Sequence, residues 1–165
     1  MSFRDEAIAA NDAYARSFPR AERTAPPTRR VAVLACMDAR LRPEEALGLA
    51  LGEAHVIRNA GGRATGDAVR SLMLSSAVLG TREAVVIHHT DCGLLGATDE
   101  ELRSIVSEAT GEDASTVDFL AFEDADRTLA ADVETIVSDP RLPFTEVTGF
   151  IFDVETGALR EARSV

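Results

Sequence analysis

Short, nearly continuous apolar runs alternate along this chain with longer stretches whose apolar residues recur at a helical period. Arg30-Val31-Ala32-Val33-Leu34-Ala35 has the composition of a strand covered on both faces. Ala54-His55-Val56-Ile57-Arg58, Ala84-Val85-Val86-Ile87-His88 and the segment from Val147 to Val154 repeat that signature, the last followed by a turn at Glu155-Thr156-Gly157. Helical period marks Phe3 to Phe18, which stops at Pro19, and Asp67 to Leu79, which is too apolar for a surface loop and is stopped by Gly80. It returns from Thr98 to about Ala109, where Thr98 and Glu101 form a capping-box pattern, and from Phe119 to Val137, ending near Asp139-Pro140. Pro43-Glu44-Glu45 has the composition of a helix first turn.

Strands separated by helices predict an α/β fold, because parallel neighbours require crossover connections. The expectation is a single domain with a mostly parallel sheet of about four to five strands flanked by helices, preceded by an N-terminal helical arm. Thr24-Ala25-Pro26-Pro27-Thr28 continues neither helix nor strand and reads as a stiff connector. It divides an arm and linker, residues 1–28, from the α/β domain, residues 29–165. Such an arm can lie across its own domain or a partner's. No internal repeat or low-complexity tract interrupts the pattern.

Composition removes several function classes. At 165 residues the chain suits one well-buried domain. No apolar stretch is long enough for a membrane span, and the acidic start, Arg4-Asp5-Glu6, is unlike a secretory signal. A net charge of −11 without a basic stripe argues against nucleic acid as a partner. Every basic residue is arginine, which removes Schiff-base chemistry and a P-loop lysine. Two cysteines without a signal segment fit a reducing, cytoplasmic setting.

Both cysteines leave predicted strand ends. Cys36 opens Cys36-Met37-Asp38-Ala39-Arg40, and Cys92 closes His89-Thr90-Asp91-Cys92, with Gly93 and Gly96 allowing the following loop to turn. Two thiolates and an imidazole suit a borderline-soft ion such as zinc, and three protein ligands leave a coordination position for chemistry. Buried free thiols, or a Cys36–Cys92 disulfide, satisfy the same residues. Successive strand residues face opposite sides, so only one of His88 and His89 can join Cys92, and His89 has the compact spacing. His88 is then expected to pack beside the strand, and His55 to be structural or exposed.

Asp38 and Arg40 are the candidate catalytic pair. Asp38 either closes the coordination sphere or is held away by Arg40 to orient zinc-bound water, although a surface ion pair is the commonplace alternative. Asp91 suits a supporting role beside the ligands or a helix cap. Arg58 and Asn59 are placed to fix the Asp38 carboxylate or a loop, and Ala60, Gly61 and Gly62 form the turn after them. All three loops leave the carboxyl ends of predicted strands, where ligands of open α/β sheets bind.

These residues resemble the β-carbonic anhydrase family. Cys36-Met37-Asp38-Ala39-Arg40 is similar to its first metal motif, His89-Thr90-Asp91-Cys92-Gly93 to its second, and Arg58-Asn59-Ala60-Gly61 to the turn between them. The resemblance implies a zinc lyase interconverting carbon dioxide and bicarbonate. One Zn2+ per subunit would be held by Cys36, His89 and Cys92, and because two thiolates leave such an ion less acidifying than three imidazoles do, activity is expected to rise above neutral pH. It also implies a homodimer or tetramer whose N-terminal helix embraces a partner. The absence of glutamine and tryptophan sets the chain apart from plant-type members and from those with an aromatic bicarbonate pocket. Its short length resembles the compact bacterial branch, which is similar to enzymes hydrolysing carbonyl sulfide or carbon disulfide. Two further possibilities stay open, a non-catalytic zinc-stabilised module with Asp38 as fourth ligand and a redox sensor through the two thiols.

Overall fold

The computed structural model describes residues 2–18 and 24–162. Five strands, β1 (Val31–Cys36), β2 (Ala54–Asn59), β3 (Glu83–His89), β4 (Glu146–Phe152) and β5 (Leu159–Glu161), form one sheet in the order β2-β1-β3-β4-β5. The first four run parallel and β5 pairs antiparallel with β4. Helices are α1 (Phe3–Ser17), α2 (Pro43–Ala46), α3 (Gly66–Ala77), α4 (Asp99–Thr110) and α5 (Ala125–Ser138).

Strand alternation sorts the core into two faces. Ala32, Leu34, Val86 and Ile151 pack with Leu72 of α3 and with Leu129 and Ile136 of α5. Val33, Ala35 and Ile87 point the other way, toward Cys36, Leu41, Cys92 and Phe122. Full burial of each large aliphatic side chain contributes about 1.5–3 kcal/mol. The helical cover is uneven, because α4 buries none of its residues and the second face is roofed by short α2 and by loops. From β1 the chain crosses to β2 on one side and then to β3 on the other, so the carboxyl ends of β1 and β3 form the switch point of the sheet.

The helix expected from Phe119 begins only at Ala125, where the Asp124 side chain accepts from the Arg127 N–H. Leu120 has φ +59, and Phe122 bridges in strand fashion to Leu95, so this apolar segment braces a loop instead of continuing the helix. The capping box from Thr98 to Glu101 is formed, and α4 ends on left-handed Gly111. The helix that begins at Phe3 ends at Ser17 without a buried residue, and Pro19 lies outside the described residues. Among the described residues no helix is long and apolar enough to cross a membrane.

Candidate metal centre

Parallel pairing of β1 with β2 and β3 brings Cys36 level with Asn59 and sets His89 one strand away at the same end of the sheet. The turn after β3 returns Cys92 to that end, with Asp91 at φ +54 and Leu95 N–H closing onto the Cys92 carbonyl. The ligand atoms of Cys36, His89 and Cys92 all lie within 4.8 Å of one another. All three residues are buried, and both cysteines are free thiols, so the disulfide alternative is not realised.

The histidine supplies the test of whether a metal fits. Its Nδ1 lies 2.8 Å from the Thr90 carbonyl, which can only accept, so Nδ1 carries the proton and Nε2 presents its lone pair. That Nε2 is buried without a hydrogen-bond partner and faces the thiols. A bare imidazole nitrogen beside two sulfurs is a donor set for a borderline-soft divalent ion. The thiols share a proton unequally. Hydrogen bonding between the two thiols pulls the Cys36 thiol well down against burial, whereas the same bond and burial push Cys92 up.

Asp38 does not point freely at the cluster. Arg40 Nε and Nη2 reach its Oδ1 and Oδ2 at 3.0 and 2.8 Å, and the Arg40 N–H donates to Oδ1 at 2.9 Å. These hydrogen bonds hold the Asp38 carboxyl well below the usual carboxylate range. Asp38 Oδ2 still lies only 3.9 Å from His89 Nε2, so the carboxylate borders the cluster while gripped from behind. Arg40 also donates to Asp91, through Nη1 to Oδ2 at 2.6 Å and Nη2 to the carbonyl at 2.9 Å. Asp91 therefore anchors Arg40 and does not cap a helix. An open cleft of about 500 Å³ beside Arg40 and Asp91 leads to solvent.

The turn residues take different parts. Arg58 donates to the main-chain carbonyls of Cys36 and Asp38 at 3.0 and 2.6 Å, fixing the ligand loop and not the Asp38 carboxylate. Asn59 closes the turn on itself, accepting from the Arg63 N–H at 2.9 Å and donating to the Arg63 carbonyl at 2.8 Å. Ala60 is exposed, and Gly93 is exposed with open space where a Cβ would sit. Gly61 and Gly62 are buried at φ +78 and +69, and a Cβ on Gly62 would sit 2.8 Å from the Ile87 carbonyl and 2.9 Å from the Cys36 nitrogen.

His88 does turn away from the cluster, as strand alternation requires, but it is not a simple packing residue. Its Nε2 lies 3.1 Å from Asp132, an acid of α5 that also binds Arg63. Sequence reasoning missed Arg63 and Asp132. The available signal was positional, since Asp132 interrupts the buried stripe of α5 formed with Leu129 and Ile136. His55 is half-buried, its Nδ1 2.8 Å from the Ser75 hydroxyl and its Nε2 3.2 Å from the Ala25 carbonyl, far along β2 from the cluster.

Comparison with known proteins agrees with this geometry. Residues 31–159 match the family model described as carbonic anhydrase. Beta-carbonic anhydrase 1 of Mycobacterium tuberculosis is 41% identical over 162 residues, covering 98% of each chain. A carbon disulfide hydrolase of Acidithiobacillus thiooxidans is 38% identical over 155 residues, covering 82% of this chain and 78% of its own. The crystal structure of carbonic anhydrase from Streptococcus mutans superposes with a TM-score of 0.93 at 43% identity, covering 99% of both chains. With its sheet order, its Cys-His-Cys cluster and these relatives in agreement, the chain belongs to the β-carbonic anhydrase family.

Proposed function

We propose that the protein is a zinc-dependent carbonic anhydrase, hydrating carbon dioxide to bicarbonate. The observation that carries this reading is the bare, buried Nε2 of His89 beside two thiols, with a carboxylate at the rim that Arg40 restrains. Cys36, His89 and Cys92 would hold one Zn2+ per subunit, which when bound supplies a Lewis acid that makes water nucleophilic near neutral pH. Asp38, kept ionised by Arg40, would accept a hydrogen bond from the nucleophilic water and orient it. Arg40 would hold Asp38 back from an ion bound at the cluster. Arg58 and the turn at Asn59-Ala60-Gly61 hold the Cys36 loop against the strand end.

Hydrolysis of carbonyl sulfide or carbon disulfide is the second reading, favoured by the relative from Acidithiobacillus thiooxidans. Carbon dioxide and these sulfides are linear electrophiles that the same site can accept. A non-catalytic module with Asp38 as fourth ligand is supported less, because Asp38 would have to give up both hydrogen bonds to the Arg40 side chain.

The working unit is proposed to be a homodimer or tetramer in a reducing, cytoplasmic compartment. Helix α1 buries nothing within its own chain and leaves Phe3, Ile8 and Tyr14 exposed, which supports its packing on a partner subunit. The domain division at residues 28 and 29 belongs to the same reading. Stopped-flow hydration of carbon dioxide, run beside sulfide release from carbonyl sulfide and carbon disulfide on one zinc-replete preparation, tests the function. Rapid hydration with slow sulfide release is expected. Dominant sulfide release would transfer the protein to the second reading, and no turnover of any substrate at alkaline pH would sink the enzyme.

A further inference from the structure

A buried ionic network lies behind the Cys-His-Cys cluster, on the opposite face of β3. Asp132, in the middle of α5, is 5% exposed. Its Oδ2 accepts from Arg63 Nε at 2.7 Å, its Oδ1 accepts from the Ala64 N–H at 3.0 Å, and His88 Nε2 stands 3.1 Å from Oδ2. Burial alone would raise the Asp132 carboxyl, but the close approach of His88, the Ala64 N–H and the Arg63 guanidinium outweigh it and hold the group ionised. An ion pair so deep is weak evidence of stabilisation, because apolar residues of similar volume often serve as well. What the pair touches is more informative.

Each arm of the network ends on the support of a different ligand. Arg63 and Ala64 directly follow the tight turn Ala60–Gly62, which lies against the main chain at Cys36. That turn is pressed so closely on the ends of β1 and β3 that Gly62 has no room for a Cβ. Clamping residues 63 and 64 to α5 therefore fixes how that turn seats against the main chain of the Cys36 loop. A second arm runs from Arg63 Nη1 to the carbonyl of Leu120 at 2.6 Å. Leu120 leads into Phe122, whose N–H and carbonyl pair with Leu94 and Gly96, just beyond Cys92. The third arm is His88, the neighbour of His89 on β3, held between Asp132 and the ring of Phe122.

We propose that Arg63, Asp132 and His88 form a positioning network for the metal centre, one device that pre-organises the supports of Cys36, Cys92 and His89 together. None of the three is a ligand or touches the reacting atoms. The network acts by limiting how far the three ligand loops can move independently, so the centre binds its ion with little reorganisation. This inference rests on the reading of Cys36, His89 and Cys92 as a metal centre.

The test is metal affinity and ligand-field geometry, measured on the full chain without reference to turnover. Zinc affinity is read by competition with a chromophoric chelator, and geometry by the visible and charge-transfer bands of the cobalt(II)-substituted protein. Asp132→Asn keeps the shape of the side chain and loses its charge. It is expected to weaken zinc binding by about 10- to 100-fold and to shift or broaden the cobalt bands. Arg63→Lys, which keeps the charge but cannot reach both Asp132 and Leu120, is expected to give a smaller change in the same direction. Ser75→Ala, at a buried polar position on α3 remote from the cluster, controls for general loss of stability. Should Asp132→Asn fail to fold, Arg63→Lys carries the test alone. The proposal is overturned if the variants fold less stably yet bind zinc and display cobalt bands like the parent, since a merely structural ion pair would behave so. Failure of the underlying reading looks different, because the parent itself would then bind no metal through Cys36.

Discussion

Arg40 holds both oxygens of Asp38, Nε on Oδ1 at 3.0 Å and Nη2 on Oδ2 at 2.8 Å, and turns the carboxylate into a fixed neighbour of the cluster. A lysine cannot reproduce that fork while also reaching Asp91. Arg40→Lys is therefore expected to keep its zinc and lose about 10- to 100-fold in carbon dioxide hydration. Measuring kcat and zinc content on the same preparation checks it, and an unchanged kcat would remove Arg40 from the account.

Asp91 contributes to Arg40 twice, through its carboxylate and its carbonyl, and only the first depends on the side chain. Its carboxylate is 78% exposed, so the ion pair is screened. Asp91→Asn should change kcat/KM by less than about fivefold, the effect of roughly 1 kcal/mol. Asp91→Val places a β-branched residue at φ +54 and should lower stability by about 1–2 kcal/mol. Urea denaturation of both variants separates the backbone role from the charge.

Two glycines with similar backbone angles make a sharper contrast. Gly62 at φ +69 has backbone atoms of Ile87 and Cys36 where a Cβ would sit, whereas Gly96 at φ +80 has nothing within 4 Å. Gly96→Ala should cost about 1–2 kcal/mol from the left-handed conformation alone. Gly62→Ala should cost more and also reduce zinc retention, because its clash displaces the Cys36 loop. Equal losses in the two variants would show that the close approach at Gly62 has no bearing on the centre.

The pH dependence of folding follows from Asp132. Its native carboxyl lies below its unfolded value near 3.9, so the unfolded chain binds the proton first. The resulting stability is complete above that unfolded value and is lost as pH falls through the lower native one. Asp139, held at about 2 mainly by hydrogen bonds from Arg141, acts in the same direction from a half-buried position. Urea midpoints measured from pH 6 downward should fall below about pH 4, and less steeply in Asp132→Asn than in the parent. Equal slopes would contradict the assignment of a buried, ionised Asp132.

The three cluster residues and the parallel sheet were legible in the sequence because their signals are local. Each ligand motif sits at the end of a short apolar run, and a parallel sheet brings such ends together. Arg63 and Asp132 were not legible because their pairing spans 69 positions, and an acid on a helix ordinarily reads as its solvated face. The helix start at Phe119 failed for a related reason. Phe119 and Phe122 are spaced for a helix, but Leu120 is captured by Arg63 and Phe122 by the Leu94–Gly96 loop. Strand β5, three residues long, is too short to announce itself by alternation.

The central claim is that Cys36, His89 and Cys92 hold the metal while Asp38 stays with Arg40. Zinc-edge X-ray absorption of the reduced protein and of Asp38→Ala tests it most directly. The account predicts one zinc per chain, with two sulfur ligands and one imidazole in both proteins, and turnover lost only in the variant. Zinc shed from Asp38→Ala, or a parent whose metal has no sulfur ligands, would contradict it.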